Sequence, residues 1–308
     1  MHKKKKPARN TKNLSDQTKL SKKSSPQKRP DKTNKEKSWL SFKVFLLLGI
    51  IFLITETLGI VVAKELSTQG LAEAPFTQNI NDVENAIYLI AIILSTTLIL
   101  IIALRIRKTI KFVWLLESIA IFTTCTIVLS ALLPEIDLIV LLLTAIILII
   151  RYTHKKSIWI RNLASIIAIA GAGSFLGISL GLLPITVFII ALAIYDIIAV
   201  FFTKHMVEIG KTSIEKNFAF TIAMHTKEHK FELGNGDLVI PLMVASSVMI
   251  NGPFNNNGLV AGLCLAASFI GLMSSIYLVS KKKIAMPALP PQTLLMVIIL
   301  GLALILGA

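Results

Sequence analysis

Two stretches decide the fold: residues 184–202, PITVFIIALAIYDIIAVFF, and residues 233–250, LGNGDLVIPLMVASSVMI. Each is apolar enough to lie in a bilayer, where roughly 20 apolar residues make one crossing. Each also holds one aspartate, Asp196 in the first and Asp237 in the second. An ionisable side chain inside a membrane span costs roughly 2.5–3.5 kcal/mol on insertion scales, so it is a functional candidate by default. Two of them on successive spans suggest a catalytic pair.

The same pattern extends in both directions from these stretches. Of 308 residues 54% are hydrophobic, mean hydropathy is +0.75, and from about residue 44 onward polar residues are too few to cover a soluble domain. The apolar runs recur between charges, which predicts an all-α polytopic membrane protein with nine transmembrane helices at 44–63, 86–104, 112–133, 136–150, 162–180, 184–203, 233–250, 258–279 and 284–307. The fourth is the shortest. No removable signal peptide is expected, since the first long apolar run begins beyond residue 40 and has no small-residue cleavage site. Cys125 and Cys264 fall inside apolar runs and read as small buried hydrophobes, which argues against a disulfide framework or a thiolate metal site.

The net charge of +15 would suggest nucleic acid in a soluble protein, but its distribution argues against that. Fourteen basic residues lie in residues 1–37, a Lys-, Ser- and Pro-rich segment expected to be a disordered cytoplasmic tail. Its expected partners are anionic lipid headgroups, each surface charge contributing about 1 kcal/mol, and nucleic-acid binding is not expected. Residues 38–308 would form the membrane domain, with an inner loop at 204–232.

Charge also sets the orientation. With the N-terminus cytoplasmic and nine spans, 31 of the 32 Lys and Arg residues fall on the inner side, leaving Lys64 outside. A miscounted span would scramble that alternation, so the positive-inside rule predicts a cytoplasmic N-terminus and an exterior C-terminus.

On this topology Asp196 lies eight residues before Lys204, about 12 Å from the inner boundary at 1.5 Å per residue. Asp237 lies seven residues after Lys230 on the returning span, about 10 Å in if helical. The two carboxylates come out at matching depth. Two carboxylates sharing a site do not both ionise readily, so the pair holds one proton. The ionised member can then take a proton from water while the neutral one polarises a scissile carbonyl.

Gly234 and Gly236 flank Asn235 just before Asp237. Paired glycines permit close backbone approach and non-helical geometry, which survives in a membrane only where it lines protein or a watered cavity. Further on, Met286-Pro287-Ala288-Leu289-Pro290-Pro291 opens the last span with three prolines. These are expected to prevent a regular helix start, giving either a stiff lead-in or an unwound segment that pairs with an extended substrate by strand addition.

Tyr195-Asp196, Gly234-Asn235-Gly236-Asp237 and Pro287-Ala288-Leu289 together resemble the motif set of the presenilin and signal peptide peptidase family of intramembrane aspartyl proteases. The resemblance covers roughly residues 44–308 in span count, motif order and placement. It implies a presenilin-like nine-helix fold that hydrolyses peptide bonds in transmembrane segments of membrane proteins or in signal peptides. It also implies that Asp196 and Asp237 are the catalytic pair, Tyr195 their neighbour, and Pro287-Ala288-Leu289 a structural element beside them. No cofactor or metal is called for. The family commonly has Leu between the glycines, where this chain has Asn235. The charge bias matches the presenilin orientation, which by resemblance favours substrates with an outer N-terminus.

Two other readings use different residues. His225-Thr226-Lys227-Glu228-His229 matches the H-x-x-E-H pattern of some zinc proteases. On a helix it would place both histidines on one face, with Glu232 or Asp237 as third ligand. Alternatively, Asp196 with Glu56 and Glu117 in spans one and three could relay protons or ions in a coupled transporter.

Overall fold

The computed structural model describes residues 32–105, 110–203, 216–225, 230–282 and 286–307. The tail through residue 31, with its expected lipid contacts, lies outside the described residues, as do 204–215, Glu228 and His229. The chain divides into two units, residues 1–39 and 40–308. Of the first, only the opening of a long helix is described, and everything below concerns the second.

Among the described residues there are nine α-helices and one two-stranded sheet. They are α1 (Lys32–Thr68), α2 (Val83–Arg105), α3 (Ile110–Leu132), α4 (Asp137–Thr153), α5 (Ile158–Ile178) and α6 (Leu182–Ile197). A π-helical turn (Ile198–Thr203) follows, then β1 (Thr221–His225), β2 (Lys230–Gly234), α7 (Gly236–Asn251), α8 (Asn257–Lys282) and α9 (Leu289–Leu306). Each expected span finds its helix. Seven are long and apolar enough to cross a membrane, while α4 and α7 are shorter at 17 and 16 residues. Large apolar side chains such as Leu138, Trp159 and Ile305 stand exposed on the outside of the bundle, as they can where the surroundings are lipid.

Three boundaries differ from expectation. Helix α1 begins at Lys32, so residues 32–37 open a helix rather than belonging to a disordered tail. Lys and Glu are good helix formers, and a helix nucleated in the apolar run extends into them at little cost. Helix α7 begins at Gly236 because 230–234 pair as a strand. Helix α9 begins at Leu289 and takes Pro290 and Pro291 into its first turn, against the expectation that three prolines forbid a regular start. The first four N–H groups of a helix have no partner inside it, so a proline there forfeits nothing.

Between membrane helices lipid supplies no hydrophobic driving force, so close packing and hydrogen bonds hold the bundle. Helix α5 lies against α1, α3 and α7. A Cβ added at Gly177 would stand 2.6 Å from the Met243 carbonyl oxygen, so only glycine lets α5 and α7 approach this closely. Ser174 on α5 donates to the Gly59 carbonyl of α1 at 2.7 Å. At the far end of α7, Asn251 donates to the Ile178 and Leu180 carbonyls at 2.8 and 3.1 Å, satisfying the end of α5. The two aspartate-bearing helices share one core, with Ile185, Phe188 and Ile189 of α6 beside Met243, Val244 and Val248 of α7 and Met296 and Leu300 of α9. Helix α8 meets the start of α9 just as closely, since a Cβ on Gly271 would lie 2.7 Å from the Gln292 backbone.

The hairpin has no counterpart among the sequence expectations. Strand β1 pairs antiparallel with β2, Thr221 opposite Gly234 and Ala223 opposite Glu232. Ile222, Met224 and Leu233 are buried in a cluster with Leu238 and Leu242 of α7. Helix α5 anchors the hairpin from its first turns. The Asn162 side-chain amide donates to the Ala223 carbonyl (2.7 Å) and accepts the Ala223 N–H (2.9 Å), as a neighbouring strand would. Arg161 pairs with Glu232 at 2.9 Å with both side chains buried, and Ser165 donates to the Ala219 carbonyl.

The Arg161–Glu232 pair gives a stability prediction. Removing one partner of a buried pair strands the other charge, so Arg161→Met is expected to cost about 3 kcal/mol. Thermal unfolding of the purified protein checks this. Adding Glu232→Leu should recover much of the loss, because apolar replacement of both partners is often neutral. A single variant that melts with the wild type would show that the pair does not hold the hairpin.

Candidate active site

Helix α6 delivers Asp196 one residue before its end, where the backbone passes into the π-helical turn Ile198–Thr203. Short π-helical segments are frequent at functional sites. Asp196 is buried, 7% exposed, and its Oδ2 accepts the backbone N–H of Leu289 at 3.2 Å. The Ala288 N–H also interacts with this carboxylate.

The sequence of α9 explains that contact. Among its first residues Pro290 and Pro291 carry no N–H, and Pro287 ahead of them carries none either. The donors left over at this helix start are Ala288 and Leu289, and Asp196 takes them. Pro287 and Leu289 are buried and Ala288 is half-buried. The three-residue motif therefore touches one carboxylate through its backbone rather than through side-chain chemistry.

Asp237 sits in the first turn of α7, half-buried, and close enough to Asp196 for the two carboxyl groups to interact electrostatically. The position of a Cβ on Gly234 is 3.5 Å from Asp237 Oδ2, whereas a Cβ on Gly236 would meet no atom within 4 Å. Neither glycine has a positive φ, and Gly236 is the first residue of a regular helix. The expected non-helical backbone is present at Gly234, the last residue of strand β2, and not at Gly236. What the glycines provide is room, because no side chain walls off Asp237 on that side.

Asn235 stands at the helix start with helical dihedrals and no side-chain cap. Its side chain instead donates to the Ala219 carbonyl at 2.8 Å, and its N–H bonds to the Phe220 carbonyl at 3.1 Å. It therefore ties the start of α7 to the residues leading into β1. Tyr195, next to Asp196, hydrogen-bonds through its side chain to Thr97 of α2, so it links two helices beside the aspartate.

The other candidates fall elsewhere. Glu117 is committed to Arg151 at 2.8 Å, and Arg151 also donates to the Asn217 carbonyl at 2.6 Å. Glu56 lines a groove between α1 and α8. A relay joining them to Asp196 is therefore not assembled. The placements of Glu117 and Glu56 do not support the transporter reading. His225 ends strand β1, while Glu228 and His229, the other members of the H-x-x-E-H pattern, lie outside the described residues.

Sequence reasoning missed Asn162, Arg161, Ser165 and Glu232 as supports of the site. The alternation of Ile222 and Met224 with polar or small neighbours was a readable strand signal. Nothing in the sequence pointed to Asn162.

A helical membrane bundle with an aspartate on each of two successive spans, near enough to interact electrostatically, fits the class of intramembrane aspartyl proteases. The family model described as signal-peptide peptidase, presenilin aspartyl protease matches residues 49–301, and the chain belongs to that family. Among solved structures, it is similar to a presenilin family intramembrane aspartate protease in two crystal forms. The C222 form has a TM-score of 0.64 at 23% identity, over 85% of this chain and 99% of that one. The P2 form has a TM-score of 0.60 at 23% identity, over 83% and 96%. A search of curated protein sequences finds no match.

Proposed function

We propose that Asp196 and Asp237 are the catalytic pair of this intramembrane protease. What supports the assignment is that Asp196 and Asp237 sit on helices sharing one core, near enough for their carboxyl groups to interact electrostatically, with Asp196 already held by the Leu289 N–H. In the proposed cycle the pair shares one proton. The ionised carboxylate takes a proton from water as the water oxygen attacks the scissile carbonyl carbon, and the protonated partner gives its proton to the carbonyl oxygen. The tetrahedral diol collapses when the C–N bond breaks. The nitrogen then receives a proton from one carboxyl group while the diol returns one to the other.

Substrates in this reading are transmembrane segments or signal peptides with an outer N-terminus. The bare surface at Gly236 supports close approach of a substrate backbone. Among the described residues strand β2 has one neighbour in its sheet, and its other edge could receive an extended peptide by strand addition, as could the non-helical residues at 286–288. The tail contacts anionic headgroups, and the N-terminus is cytoplasmic with the C-terminus outside. The one-sided charge count supports this orientation.

Incubating the purified protein with a panel of single-span peptides, wild type against Asp196→Ala, tests the catalytic reading, which predicts cleavage only by the wild type. For the orientation, reporter fusions at the two ends should report opposite sides of the membrane. Both ends on one side would sink the nine-span topology.

A further inference from the structure

Helices α3 and α4 carry neither aspartate and pack mainly on each other and on α5, yet they hold a buried pair of charges. Glu117 and Arg151 are each 2% exposed. Arg151 donates from Nε and Nη2 to Glu117 Oε1 at 3.1 and 2.8 Å. Its Nη2 also donates to the Asn217 carbonyl at 2.6 Å, and its Nη1 to the Lys155 carbonyl at 3.2 Å. The Ala219 N–H interacts with the Glu117 carboxylate, and Arg161 is near enough to Glu117 for electrostatic contact. The pair therefore adjoins the Arg161–Glu232 pair, and both grip the chain that leads into α7.

The segment that Glu117 and Arg151 hold is the short approach to strand β1. Asn217 has a φ of 58°, in the left-handed region that asparagine tolerates better than most residues, and its side chain donates to the Lys155 carbonyl. Phe218 is fully buried, its ring 5.1 Å from that of Trp114, and the Arg151 guanidinium lies 5.2 Å from the same indole. The next two carbonyls receive Asn235: Ala219 accepts its side-chain amide at 2.8 Å and Phe220 its N–H at 3.1 Å. The Asn235 carbonyl in turn accepts the Leu238 and Val239 N–H groups at 3.1 and 2.9 Å, which fixes the first turn of α7, where Asp237 sits. One unbroken run of contacts leads from the α3–α4 ion pair to this carboxylate.

A buried ion pair adds little stability over a well-packed apolar pair of the same size. What an apolar pair could not do is grip backbone groups, and the groups gripped here belong to the residues that carry Asn235. We propose that Glu117 and Arg151 are positioning residues of the protease: by fixing residues 217–219 they fix Asn235, and through it the placement of Asp237 relative to Asp196. The proposal rests on the reading of Asp237 as a catalytic carboxylate. It gives two charges on helices without an aspartate a part in the rate, with no contact to substrate.

The test measures kcat, KM and unfolding temperature of the full-length protein on a single-span peptide. Glu117→Leu with Arg151→Met leaves no stranded charge, so the fold should survive. Its kcat should fall by up to roughly 100-fold, the cost of about 1 Å of misplacement, while KM moves less than about twofold because substrate binding is untouched. Arg151→Lys can still pair with Glu117 but lacks the fork that reaches the Asn217 carbonyl at the same time, so its kcat should fall while its unfolding temperature holds. Asn235→Ala should lower kcat by itself and lower it no further when added to the paired replacement, since residues acting along one path are not additive. Ser174→Ala, which removes the α5–α1 hydrogen bond, should lower the unfolding temperature and keep kcat at the wild-type value. Wild-type kcat in Arg151→Lys would overturn the proposal, even where the paired replacement does not fold. So would losses that multiply with that of Asn235→Ala, a loss confined to KM, or an equal fall in kcat in Ser174→Ala, which would reduce the pair to general support of the fold. Asp237→Asn, assayed beside them, separates the two readings. If it is inactive, these outcomes judge the pair alone, whereas cleavage by it would overturn the catalytic assignment and this proposal with it.

Discussion

Asp196→Asn and Asp237→Asn are each expected to lower cleavage about 10⁴-fold while the protein stays folded. An amide has the size of the carboxyl group but can neither accept a proton from water nor pass one to the substrate, and groups acting as a unit lose most of their effect when either is removed. For the same reason the double variant should be no slower than either single one. Folding should survive, because the carboxamide oxygen introduced by Asp196→Asn can still accept the Leu289 N–H that Asp196 Oδ2 accepts at 3.2 Å. Unfolding temperature and the cleavage rate of a single-span peptide, measured on the same preparations, separate the two effects. Substantial activity in either single variant would rule out this pair as the catalytic centre.

The second large effect concerns backbone geometry. Pro287→Ala restores an N–H and frees Met286 from the restriction a following proline imposes, so α9 can grow backward by a turn. Helix propensity favours this by up to about 3 kcal/mol. In the longer helix the Leu289 N–H would bond to a carbonyl four residues earlier and no longer to Asp196. Both carboxylates would remain, but one would lose the contact that positions it, and misplacement of this kind can cost roughly 100-fold in rate. Thermal stability should stay level or rise. Wild-type cleavage by Pro287→Ala would reduce this segment to a stiff lead-in to the last helix.

These two predictions draw on different kinds of information. Asp196 and Asp237 could be singled out from the chain alone, because a carboxylate in an apolar run is conspicuous and the charges between runs count out its depth. The Leu289 contact could not. Three prolines read as a break, and only the helix start itself shows that Pro290 and Pro291 lie where missing N–H groups go unnoticed. Glu117 and Arg151 illustrate the same limit. In sequence one reads as a relay carboxylate and the other as a loop charge, yet they form a buried pair linking α3 to α4. Asn235 stands out in sequence as a departure from the Leu common in the family, whereas in the fold its side chain is engaged with the Ala219 carbonyl.

By itself the sequence determined how many apolar helices the chain forms and which successive spans carry an aspartate. Both follow from local composition, since hydropathy and charge act on each segment independently of its neighbours. The tertiary structure decided which backbone donors reach Asp196 and which charges are paired. It also decided how α5 holds the hairpin and which carboxyl group, Glu56, is left without a hydrogen-bond partner among the described residues. These depend on contacts between segments far apart in the chain. In lipid such contacts rest on close packing and hydrogen bonds, which composition does not encode.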